Sequence, residues 1–192
     1  MENQQDILIE QRGAAGVITI NRPAALNALN LNVLRGMWDA LQSWKDDPAI
    51  KAVVLTGAGH KAFCAGGDLK HFHGAGQAYK RGEADLMHPV SFFSLEYSLN
   101  TLIYHYPKPI VALMNGITMG GGYGLAGNSS IRVACEETLF AMPETKIGFF
   151  PDVGAVSHLV KAPSHIGRYL AMTGNTLPGG RYGVSGAGGL FG

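Results

Sequence analysis

Between Thr118 and Asp152 the chain reads TMGGGYGLAGNSSIRVACEETLFAMPETKIGFFPD, which joins a triple glycine to two well-separated carboxylates, Glu144 and Asp152. Gly120, Gly121 and Gly122 remove every side chain from one turn, so the backbone there can bend sharply and another group can come close to it. Before the turn, Pro109 to Asn115 is a short apolar run bounded by prolines and a glycine, which reads as a buried strand. After it, Tyr123 to Ala126 can open a helix, and the free amides of a first helical turn would face whatever occupies the glycine turn. Such amides suit a developing negative charge. Glu144 follows Pro143 after the apolar run Leu139 to Met142, and Asp152 follows Pro151 just before the helical-looking segment Val153 to Val160. The pattern predicts an oxyanion site with acid/base groups beside it. The same glycines satisfy G-x-G-x-x-G at Gly122, Gly124 and Gly127, but another glycine turn precedes them and Met142-Pro143-Glu144 follows, which is not the setting of a dinucleotide fingerprint.

With 192 residues and 46% hydrophobic content the chain can bury one real core. Charged residues are only 15%, against roughly 25% in an average soluble domain, which predicts surface covered by a partner or by further chain. A net charge of +1 without a basic stripe excludes nucleic acid as a partner. No apolar run reaches the ~18 residues of a membrane span, and the start MENQQD has the look of neither a signal peptide nor an arginine-rich transit peptide. No membrane association and a cytoplasmic location are the expectation. Cys64 and Cys135 form no CxxC pair, so reduced thiols are expected. Cys64, with no histidine tied to it, reads as a small buried thiol. The seven histidines show no metal-ligand spacing; His71 and His73 would share a face only on a strand, and no metal is expected.

In chain order, Ile7 to Gln11 and Val17 to Ile20 predict an opening hairpin, and Leu34, Met37, Trp38, Leu41 and Trp44 fall on one face of a helix. Ala52 to Leu55 predicts a buried strand. FCAGGD at 63 to 68 is a second glycine turn between a strand and a helix, with Asp68 placed to cap that helix. Two such turns can face each other and supply a pair of converging amides. Ala75 to His88 is polar and reads as an excursion with few core contacts. A helix from about Pro89 to Tyr106 presents Phe92, Leu95, Leu99, Leu102, Ile103 and Tyr106, and Glu96 lies within or beside that stripe. A carboxylate there needs a partner or a function. Val153 to Val160 and His165 to Met172 read as helices, and the glycine-rich end has no periodicity.

The segments NRPAALNAL (21 to 29), AFCAGGDL (62 to 69), PKPIVALMNGITMGGGYGLA (107 to 126) and FAMPETKIGFFPDVGA (140 to 155) resemble the crotonase, or enoyl-CoA hydratase/isomerase, superfamily, from about Ile7 to Leu177. Within it they are most similar to the branch that hydrolyses acyl-CoA thioesters. The resemblance implies an α/β fold, a spiral of repeated ββα units with helices around a twisted sheet, here lacking the C-terminal helices that help close the site and form subunit contacts. It implies an acyl-CoA substrate, no cofactor beyond the CoA of that substrate, and a homo-oligomer. By the same resemblance Gly67 and Gly121 supply oxyanion-hole amides, Glu144 is the main catalytic carboxylate, Asp152 accompanies it, and Glu96 contacts substrate. Asp68 is either a helix cap or a further substrate contact, and Arg22 and Lys61 flank the matching segments as phosphate contacts. A hydratase carries a second catalytic glutamate where this chain has Gly124, which favours hydrolysis over hydration. A hydratase or isomerase, and an acyl-CoA-binding fragment without activity, stay open as alternatives. The expected division is a core of residues 1–177 and a flexible or non-native tail of residues 178–192, with weak stability and low activity.

Overall fold

The computed structural model describes residues 5–179, without the side chains of His71 and His88. Strands β1 (Ile7–Arg12) and β2 (Ala15–Ile20) form the expected antiparallel hairpin, pairing Ile7 with Ile20 and Arg12 with Ala15. Helix α1 (Leu31–Lys45) starts where Asn30 accepts a hydrogen bond from the Val33 amide at 2.9 Å, and it buries Val33, Leu34, Met37, Ala40, Leu41 and Trp44. That stripe packs on the hairpin, as an apolar face with a sound cap should.

Three units of strand, strand and helical turn follow. The first is β3 (Ala52–Gly57), β4 (Ala62–Cys64) and α2 (Leu69–Lys80). Helix α3 (Met87–Tyr104) is inserted next. The second unit is β5 (Ile110–Met114), β6 (Ile117–Met119) and α4 (Gly121–Gly127). The third is β7 (Ile131–Ala134), β8 (Leu139–Ala141) and a 3-10 turn at Glu144–Ile147. Each unit gives its first strand to one sheet, in the order β1-β2-β3-β5-β7, and its second strand to another. The smaller sheet runs β4-β6-β8 in parallel, closed by β9 (Leu177–Pro178) antiparallel on β8. Helices α5 (Ala155–Leu159) and α6 (Ile166–Thr173) complete the described chain. The fold is the expected α/β spiral of ββα units.

This repetition decides where the site lies. Because β4, β6 and β8 are parallel neighbours, whatever follows their carboxyl ends is brought side by side: Gly66-Gly67, Gly120-Gly121 and Pro143-Glu144. Ligands of parallel sheets bind at that end.

Asn27 holds the frame around the first of these turns. Fully buried, it donates from Nδ2 to the carbonyls of Ala58 (3.0 Å) and Ala62 (2.7 Å) and accepts from the Arg22 amide at 3.0 Å. Asn27→Ala leaves one buried and two part-buried backbone groups short of a partner, and a loss of about 2 kcal/mol is expected in urea unfolding. An unchanged midpoint would show that water replaces the amide.

The structure departs from the sequence reading in three places. Ala75 to Lys80 is the second half of α2 rather than an excursion, because Phe72 anchors the helix on α3, with its ring centroid 4.7 Å from that of Phe92. Few core contacts are indeed made there, since no residue from His73 to Ser91 with a described side chain is buried. Strands β6 and β7 were not expected; three and four residues are too few to show a period. The strand on which His71 and His73 would share a face is not formed, their segment being part of α2, which is no departure from the reading. Pro178 pairs with Leu139 and the Gly179 amide donates to Thr138, so the core continues past Leu177. The rest of the expected tail lies outside the described residues.

Candidate active site

The two glycine turns touch. A Cβ on Gly66 would stand 3.0 Å from the Met119 carbonyl and 3.2 Å from the Gly121 nitrogen. Leu29 bridges this turn in parallel, its amide donating to Gly66 O and its carbonyl accepting from Asp68 N. In that pattern the intervening residue points its own amide the other way, so the Gly67 N–H is turned from Leu29. Gly121 opens α4, where an N–H has no acceptor within the helix. Both amides are therefore spare.

Glycine is required here by close approach. A Cβ on Gly120 would stand 2.9 Å from Oε1 of Glu144, and one on Gly121 would collide with Oε1 of Glu96. The backbone of the second turn is thus sandwiched between two carboxylates. Glu96, Glu144, Asp152, Gly67 and Gly121 line one cavity of about 460 Å³, walled by Phe72, Phe92, Phe93 and Phe149. Five residues expected to act together are brought together.

Glu144 begins the 3-10 turn after β8 and is 8% exposed, and its Oε2 has no hydrogen-bond partner among the described residues. Glu96 is 3% exposed on α3. Burial, then Asp152 and Glu144, push Glu96 up to about 8; burial and Asp152 push Glu144 up to about 7. Burial also raises Asp152, opposed by a hydrogen bond from Tyr97, whose phenol donates to Oδ2 at 2.6 Å. Tyr97 was missed in the sequence, where it reads as one more aromatic on a helix.

A carboxyl that holds its proton more tightly in the fold than in the unfolded chain makes the folded state the better proton binder. Stability then falls as pH rises above the ordinary carboxyl range, until the buried group itself ionises. The thermal midpoint is accordingly expected to fall between about pH 5 and about pH 8, with Glu96→Gln flattening the slope. Calorimetry at several pH values reads this, and a flat wild-type profile would contradict it.

Asp68 and Arg22 stand apart from the cavity. Arg22 pairs with Asp68 at 2.9 Å and with Asp6 at 3.5 Å, and donates to the Ala28 carbonyl at 2.6 Å. The substrate contact expected of Asp68 is thus replaced by an ion pair that braces the loop beside the first glycine turn. Lys61 is exposed and lines a small separate cleft with Pro23 and His60. Cys64 is buried, and burial pushes its thiol up to about 12. Among the described residues no group of three His, Cys, Asp or Glu is arranged to hold a metal ion, and no helix is long and apolar enough to cross a membrane.

Gly124 faces Val153. A Cβ there would lie 2.6 Å from Cβ of Val153 and 3.1 Å from Nδ2 of Asn100. The position is filled from outside, and no glutamate fits it.

The enoyl-CoA hydratase/isomerase family profile matches residues 15–188. The chain is 51% identical over 174 residues to the mitochondrial 3-hydroxyisobutyryl-CoA hydrolase of Xenopus tropicalis and 47% identical over 175 residues to that of Homo sapiens. Each match covers 91% of this chain and 44% of the relative, so the chain spans less than half the length of these relatives. Among solved structures, an enoyl-CoA hydratase from Rhodobacter sphaeroides 2.4.1 superposes with a TM-score of 0.86 at 42% identity, covering 95% of this chain and 53% of that one. The mitochondrial names of the curated relatives overturn the expected cytoplasmic location. That expectation rested on a few N-terminal residues, whereas a targeting leader is cut away and leaves no trace in a folded core. With the profile matched from β2 onward and three ββα units in the fold, the chain belongs to the enoyl-CoA hydratase/isomerase family.

Proposed function

We propose that the chain hydrolyses acyl-CoA thioesters, with 3-hydroxyisobutyryl-CoA as substrate. The observation that carries this reading is the unpartnered Oε2 of Glu144, buried in the cavity onto which the Gly67 and Gly121 turns open. The names and 47–51% identities of the curated relatives support the substrate.

On this reading the thioester carbonyl oxygen sits between the Gly67 and Gly121 amides, which strengthen their hold as it gains charge; one such donor is worth roughly 3 kcal/mol in comparable sites. Glu144, ionised, follows one of two routes. As general base it takes a proton from water while the water oxygen bonds to the carbonyl carbon; the tetrahedral anion then collapses, the C–S bond breaks, and the CoA thiolate takes up the proton. As nucleophile it bonds to the same carbon, expels the thiolate, and is released when water cleaves the mixed anhydride. Asp152 orients substrate or assists the proton. Glu96, protonated near neutrality, donates a hydrogen bond to the acyl group. Carboxylates and backbone amides supply every group this reaction needs.

The test is product identity. Incubated with 3-hydroxyisobutyryl-CoA and, separately, with crotonyl-CoA, the chain is expected to release free thiol from the first and to leave the enoyl absorbance of the second unchanged. Loss of enoyl absorbance without thiol would replace hydrolysis by hydration.

A further inference from the structure

We propose that Tyr97 is a positioning residue of this site: its phenol O–H, donated to Oδ2 of Asp152, fixes the direction of that carboxylate in the wall of the three-carboxylate cavity. What this does for catalysis rests on the hydrolase reading above; the hydrogen bond itself does not.

Successive residues of an α-helix point about 100° apart. Glu96 and Tyr97 therefore leave α3 in different directions, Glu96 into the cavity and Tyr97 to its flank. There Tyr97 is tilted against Phe93, with ring centroids 5.9 Å apart, and is 40% exposed. It also lines a second cavity of about 600 Å³, together with Asn100 and Asp152. Asp152 thus stands in the wall between two cavities, outside any helix or strand. A side chain so placed needs an anchor, and Tyr97 reaches it at 2.6 Å.

Three carboxylates sharing one cavity cannot all carry charge; the proton goes to those least well solvated. Among the described residues no side-chain donor reaches Glu96 or Glu144, whereas Asp152 has the Tyr97 hydroxyl. The other groups that face Asp152 are few. Glu96 comes from α3, and Glu144 and exposed Lys146 come from the 3-10 turn; Tyr104 at the end of α3 and His105 just beyond it line the second cavity. His158 of α5 stands edge-on to Tyr123 instead, with centroids 6.0 Å apart. Asp152 is accordingly the carboxylate of the three whose charged form has a side-chain donor, and its other oxygen is aimed by that bond.

The test is a carboxyl-carbon NMR titration of the full chain labelled in its aspartates, the Asp152 signal being the one absent from Asp152→Asn. In Tyr97→Phe its midpoint is expected to rise by about one pH unit, the equivalent of a tenfold change in proton affinity. The acid limb of kcat/KM for thiol release, which Glu144 sets, should not move up with it. In an Asp152→Asn background Tyr97→Phe should add nothing. Phenylalanine keeps the ring at a part-exposed position, and circular dichroism verifies the fold. An Asp152 midpoint that does not move, or an acid limb that climbs by the same pH unit, would overturn the proposal. A midpoint that moves while even the wild-type chain releases no thiol would uphold the positioning role and remove the hydrolase reading.

Discussion

Glu144→Gln is expected to lower kcat for thiol release by about a thousandfold, the middle of the range for a positioned acid/base group, with KM changed little. Glutamine keeps the shape of the side chain and its packing after β8, so the loss isolates the proton or the electron pair that the carboxylate supplies. Folding should survive, since a buried carboxylate whose proton is held up to about 7 costs the fold nothing when made permanently neutral. Steady-state thiol release with a melting curve as control reads both. A loss of less than about tenfold would show that Glu144 is not the group at the reacting carbon.

How much of this was legible in the sequence follows from the kind of signal each residue leaves. Gly66-Gly67 and Gly120-Gly121 announce themselves because a turn without side chains has few other uses beside an apolar run, and Glu144 follows such a run directly. Glu96 shows as a charge in a helical stripe, and its 3% exposure justifies the suspicion. Asp152 is a different case. Its local setting, after Pro151 and before a helix, fits a cap equally well, and only the tertiary fold puts it into the cavity with Glu144 and Glu96. Tyr97 left no signal, because its role lies in a contact across 55 residues of chain. Asp68 was overread for the converse reason: a carboxylate next to a glycine turn looks like a site residue until Arg22, 46 residues away, is seen to hold it. Helices α1 and α3 and strands β1, β2, β3 and β5 of the larger sheet were readable from their patterns; β7 and the second half of α2 were not. The smaller sheet, which brings the three turns together, is built of strands of two and three residues, too short to carry a pattern.

Gly124→Glu supplies the carboxylate that a hydratase of this family carries, and it is expected to give no hydration and a protein destabilised by at least about 3 kcal/mol. The first added atom already lies 2.6 Å from Val153 and 3.1 Å from Asn100 in a helix whose residues are all buried. Overpacking of this kind costs ~1–3 kcal/mol. The charge makes matters worse, because it arrives unpaired beside Asn100 in a protein that already carries three carboxylates nearby. Urea unfolding measures the loss, and enoyl absorbance measures any hydration. If the variant folded as well as the parent and hydrated crotonyl-CoA, the distinction drawn from Gly124 and Val153 would be wrong.

The most direct test of the central claim is the rate of thiol release from 3-hydroxyisobutyryl-CoA by the unaltered chain, corrected for spontaneous hydrolysis and followed across the neutral range. The account predicts protein-dependent release that rises with pH through about 7, as Glu144 loses its proton beneath the two glycine amides. No protein-dependent release at any pH would contradict it.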